Sequence, residues 1–114
     1  MRKIITYGGY FEEFYSSLTV REQQKVDYII SLLETQDHFP QKFVKHIVGD
    51  LYELRIMWNG NIYRVFFIFD EGNVVVLFSG FQKKTNKTPV SEINKAINIK
   101  EAYYADKQSS DKRL

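Results

Sequence analysis

Asn59-Gly60 stands between two runs rich in β-branched and aromatic residues, LYELRIMW and NIYRVFFIF. A two-residue type I′ turn needs positive φ at both central positions, and Asn-Gly meets that need, so the two runs are expected to form a hairpin. Counting outward from the turn sets the register: Trp58 faces Asn61, Leu54 faces Val65, and Arg55 falls opposite Arg64. Like charges directly opposed across a strand pair cost about 0.2–1 kcal/mol. The pair therefore asks either for an anion between the two guanidinium groups or for acids beside them.

A third run, NVVVLFSGFQKKTNK, follows the turn signal DEG. With period-two alternation and a two- or four-residue turn around Asp70 to Asn73, one side of the meander collects Leu54, Ile56, Trp58, Tyr63, Val65, Phe67, Phe69, Val74, Val76 and Phe78. The opposite side collects Glu53, Arg55, Met57, Ile62, Arg64, Phe66, Ile68, Val75, Leu77, Ser79 and Phe81. The first side is the expected core, covered by helices. On the second, Arg55, Arg64 and Ser79 form one transverse row flanked by Phe81 and Lys83, the composition of a phosphate site beside a stacking surface.

Upstream, KIITY ends at Gly8-Gly9 and reads as a short strand. Phe11, Phe14, Tyr15 and Leu18 are helically spaced. Thr19 and Glu22 form a T-x-x-E capping box for a second helix from Val20 to about Thr35, with Val26, Ile29, Ile30 and Leu33 inward and Arg21, Glu22, Gln23, Gln24, Lys25 and Asp27 on a solvated face. Pro40 disfavours helix at Phe39, and a linker with Phe43, Val44, Ile47 and Val48 is expected to cap the core. After the meander, Thr88, Pro89 and Glu92 mark another helix start, with Ile93, Ala96, Ile97, Tyr103 and Tyr104 inward. One domain over residues 1–104 is expected, followed by a polar, fraying tail over 105–114.

The net charge of +2 does not by itself announce a polyanion partner, but its distribution is uneven. Between Gln82 and Lys100 five lysines stand against the single acid Glu92. The chain has no cysteine, so disulfides and thiolate metal sites are excluded. His38 and His46 lack the surrounding ligand pattern of a metal site, and neither metal nor cofactor is expected. No run approaches the ~20 apolar residues that span a bilayer, so the expectation is a cytoplasmic protein without a membrane partner.

Glycine-rich phosphate loops and nucleophile elbows are missing from the sequence, so any catalysis would run on arginine, lysine and hydroxyl groups. That inventory suits RNA cleavage by the substrate's own 2′-hydroxyl, where a protein orients the backbone, stabilises charge and moves protons. Two readings of the arginines stay open at this point. They hold a phosphate, with Lys83, Lys84 and Lys87 along the path of a polyanion, or they belong to a structural ion network with Glu53 and loop acids.

The order of motifs, LYELR, then NIYRVFF, then GFQKKTNKTP leading into EINKAI, resembles the RelE/HigB group of toxins of type II toxin–antitoxin systems, specifically its phage-derived HigB-like branch. The resemblance covers about Phe11 to Tyr104. It implies an α+β fold, RelE-like, with N-terminal helices packed on one face of a small antiparallel sheet and a C-terminal helix. It further implies ribosome-dependent mRNA cleavage, with the ribosome and mRNA as partners, a helix-turn-helix antitoxin, and DNA reached only through the antitoxin complex. Carried onto this sequence, Arg55, Arg64 and Lys84 are the candidate catalytic residues, and Ser79, Phe81, Lys83 and Lys87 the candidate substrate-binding residues. Relatives of the ParE type share the fold and poison DNA gyrase instead, and a non-toxic interaction domain is the remaining alternative.

Overall fold

The computed structural model describes residues 1–38 and 41–111, with side chains as far as Ser109. The helix break expected at Phe39-Pro40 lies outside the described residues. The chain folds as β1 (Lys3–Thr6), α1 (Tyr10–Ser16), α2 (Val20–Thr35), β2 (Val44–Val48), β3 (Leu51–Trp58), β4 (Asn61–Asp70), β5 (Val74–Lys83) and α3 (Val90–Asp111). The capping box forms as expected: the Thr19 hydroxyl accepts from the Glu22 amide, and the Glu22 carboxylate accepts from the Thr19 amide at 2.8 Å. Among the described residues no helix is long and apolar enough to cross a membrane.

The five strands lie in the order β1-β5-β4-β3-β2. All neighbours are antiparallel except β1, which runs parallel to β5, so the sheet is mixed. The segment expected to be a linker supplies the edge strand β2. Its V-K-H-I-V pattern pairs with β3, placing Lys45 opposite Glu53. Asn59 and Gly60 adopt φ of 51° and 80°, and the β3–β4 register is the one counted from the turn, with Arg55 opposite Arg64.

The register of β5 differs from expectation in two places. The β4–β5 turn has three residues, Glu71, Gly72 and Asn73, with Glu71 and Gly72 at positive φ, so Asp70 pairs with Val74 and Phe69 with Val75. An odd loop inverts the facing of every residue that follows. Val75 and Leu77, not Val74, Val76 and Phe78, therefore join Leu54, Ile56, Tyr63, Val65 and Phe67 beneath α1 and α2. Further along, Val65 pairs with Gly80 but Phe67 with Leu77, so one extra residue of β5 bulges between them. The bulge inverts the facing a second time.

A helix covers part of the second face as well. Phe66, Ile68, Val76 and Phe78 pack against Ala96 and Ile99 of α3. Two aspartates clamp that helix down: Asp50 accepts from Lys100 at 2.8 Å and Tyr104 at 2.6 Å, and Asp70 from Tyr103 at 2.5 Å and Lys107 at 2.8 Å. Lys107 also pairs with Glu71 at 2.9 Å. These contacts explain why 105–111 is helical where a fraying tail was expected, and 112–114 lie outside the described residues. The hairpin end of the second face is left free of α3, and the arginines are there.

Candidate functional site

Arg55 and Arg64 share a face, but their surroundings differ. Arg64 is 3% exposed, and its Nε meets Oε1 of the fully buried Glu53 at 2.7 Å. Its Nη1 donates to the Tyr63 carbonyl at 3.1 Å. The second oxygen of Glu53 accepts from the Thr88 hydroxyl at 2.7 Å. Glu53 thus binds the sheet arginine with one oxygen and the β5–α3 loop with the other, fixing Lys84 to Lys87 at the edge of the arginine face.

Arg55 has no such acid. Its backbone amide donates to the Phe43 carbonyl at 2.7 Å, which brings the segment before β2 alongside β3, and among the described residues no carboxylate reaches its guanidinium. The ion-network reading therefore describes Arg64, and the anion reading stays open for Arg55 alone. A cleft of about 420 Å³ opens between them, lined by Lys25, Lys42, Phe43, Arg55, Met57, Ile62 and Arg64. Four of these residues are cations, and none is an acid.

The turn and the bulge together decide what completes the row. Phe81, not Ser79, pairs with Arg64, and its ring stacks on Phe66 with centroids 5.7 Å apart. Ser79 is buried at the bulge, outside the transverse row, because the three-residue turn and the bulge together shift the pairing by two positions along β5. Phe81 and Lys83 nevertheless fall on the arginine face as expected, since the odd turn and the bulge cancel. Lys83 pairs with Ile62 at the hairpin end.

Burial lowers the Lys83 pKa first, and Arg64, Lys45 and Arg55 lower it further against the opposing pull of Glu53. Burial likewise lowers that of Arg64, with Glu53 opposing and Arg55 reinforcing the shift. Guanidinium keeps its charge at any accessible pH, so only the lysine becomes a more willing proton donor. Lys84 and Lys87 are exposed in the loop after β5, where the Lys87 carbonyl accepts from the Thr85 hydroxyl. Lys25, Lys42 and Lys45 were not anticipated as part of the basic face. The alternation of Val44 to Val48 was the available signal for Lys45, whereas Lys25 and Lys42 join only through tertiary packing.

A family model described as Phage derived protein Gp49-like (DUF891) matches residues 13–101. No curated protein matches the chain significantly. Among solved structures, the chain is similar to one from the archaeal RelE-RelB complex of Pyrococcus horikoshii OT3, with a TM-score of 0.52 and 16% identity. The alignment covers 76% of this chain and 98% of that one. The shared architecture is that of RelE.

Proposed function

Since the chain belongs to the phage-derived Gp49-like family and has the fold of a RelE-like toxin, we propose that it is the toxin of a type II toxin–antitoxin pair that cleaves mRNA on the ribosome. The observation that carries this reading is the cation-lined cleft at the open end of the sheet, where Arg55 lacks an acid partner among the described residues and Lys83 is crowded by positive charge. Such a site suits a phosphodiester, whose charge grows during in-line attack.

In this reading the RNA 2′-hydroxyl gives its proton to water as its oxygen attacks the adjacent phosphorus, the bond to the 5′-oxygen breaks, and a cyclic phosphate and a 5′-hydroxyl result. Arg55 binds the phosphate directly. Arg64, held by Glu53, supplies fixed positive charge from below. Lys83, crowded by positive charge, is the residue that returns a proton to the leaving oxygen, whereas the resemblance marked Lys84 as the catalytic lysine. Lys84 and Lys87 hold the flanking backbone, and Phe81 presents the neighbouring ring. The similar fold in the RelE-RelB complex supports an antitoxin as the natural restraint.

Expression without an antitoxin should arrest growth and produce transcript ends at positions phased with codons. A folded Arg55→Ala variant should lose both effects. Equal toxicity of that variant would remove Arg55 from the site. DNA breaks without phased transcript ends would instead identify a gyrase poison on the same fold.

A further inference from the structure

A second groove, of about 600 Å³, lies beside the cation-lined cleft and is bounded by Val20, Arg21, Gln24, Lys25, Tyr28 and Trp58. Arg21, Gln24, Lys25 and Tyr28 follow the i, i+3, i+4, i+7 spacing of one helical face. Of the three acids of α2, Glu22 closes the cap and accepts from the Tyr63 hydroxyl, Asp27 accepts from Tyr15 at 2.9 Å, and Glu34 is not among the groove's lining residues. The groove consequently presents cations and rings with no acid among its lining residues.

Its aromatic residues are unusually open. Tyr28 is 55% exposed, and Trp58, at the end of β3, is 37% exposed beside Met57 at 66%. Lys25 Nζ sits 5.5 Å from the centre of the Tyr28 ring. The same lysine also lines the neighbouring cleft, so the two depressions meet at Lys25. Exposed rings interleaved with cations form a platform for unpaired bases, because stacking accepts any base while the cations follow the backbone.

We infer that the α2–hairpin groove is a second subsite for single-stranded RNA, stacking bases that flank the phosphate held at Arg55. This rests on the nuclease reading and extends it by naming where the strand goes. The alternative occupant of a basic, apolar groove is an acidic amphipathic protein segment, and the two are separable by experiment.

Trp58 is the single tryptophan of the chain, so its emission reports the groove directly. The full chain is titrated with 2′-O-methyl oligonucleotides, which lack the attacking hydroxyl, in a dinucleotide form and a form of about ten nucleotides. The longer strand should quench Trp58, and Trp58→Ala and Tyr28→Ala should each weaken its binding about fivefold or more, as loss of base stacking does, while leaving the dinucleotide unaffected. Should Trp58→Ala fail to fold by circular dichroism, Tyr28→Ala and the unmodified chain carry the test. Binding of the long strand that is lost in Arg55→Ala but leaves Trp58 emission and the Tyr28 variant unchanged would overturn the groove alone and leave the nuclease reading standing. Quenching by an acidic amphipathic peptide but not by the oligonucleotide would make the groove a protein-docking surface and overturn the inference. Failure to bind any oligonucleotide would overturn it as well, with transcript-end mapping still deciding the nuclease reading.

Discussion

Arg55 and Arg64 occupy opposed positions, but removing either has a different consequence. Arg64→Ala leaves Glu53 buried without its cation, which should cost about 3–5 kcal/mol of stability, read as a lower urea midpoint. Loss of activity in that variant would mix folding with function. Arg55, half-buried and free of a carboxylate partner among the described residues, should on replacement by alanine leave unfolding near the native midpoint while RNA binding is lost. Lys83→Arg keeps the charge but withholds the proton, so single-turnover cleavage should fall much more than oligonucleotide affinity. An unchanged turnover rate would remove Lys83 from proton transfer.

At the scale of elements, β5 and α3 carry the next two expectations. The Cβ of a Gly80→Ala variant would lie 2.5 Å from the Phe14 ring, so α1 must shift away from the strand. A loss of about 1–3 kcal/mol is expected by urea unfolding, with part of it regained when Phe14 is also replaced by leucine. For α3, burial raises the Asp50 and Asp70 pKa values, but hydrogen bonds from Lys100 and Tyr104, and from Lys107 and Tyr103, outweigh it and hold both below the ordinary 3.8. Their stabilisation is thus present above that value and is lost as pH falls through the lower folded-state values. Burial, then Asp70, push Tyr103 up to about 12 from 10.0, so its stabilisation is present below 10.0 and is lost as pH rises toward 12. Amide exchange in α3 should accelerate at both limits before it does in β4. The sequence made the hairpin and capping box legible because Asn59-Gly60 and Thr19-Glu22 act locally. It left the facing of β5 unreadable, since VVVLF is apolar at every position and alternation carries no signal there. The separation of Arg55 from Arg64 was equally hidden, because Glu53 chooses between them only once Thr88 arrives from the far end of the loop.

For the whole molecule, the net charge of +2 understates the field at the open end of the sheet. If about three phosphates are neutralised there, oligonucleotide affinity should fall with a log–log salt slope near −2, and Arg55→Ala should make that slope shallower by about 0.7. A slope near zero would place binding on stacking alone. The bulge in β5 also bears on how the chain finds its own structure. A strand apolar on both faces buries comparable surface whether paired correctly or slipped by one residue, so hydrophobic collapse gives such a sheet no preference. Ser79 and Gly80, two of the smallest side chains in the strand, admit the extra residue and the close approach of Phe14. Proofreading of the strand alignment falls to them, and with it the placing of Phe81 and Lys83 beside the arginines rather than beneath the N-terminal helices.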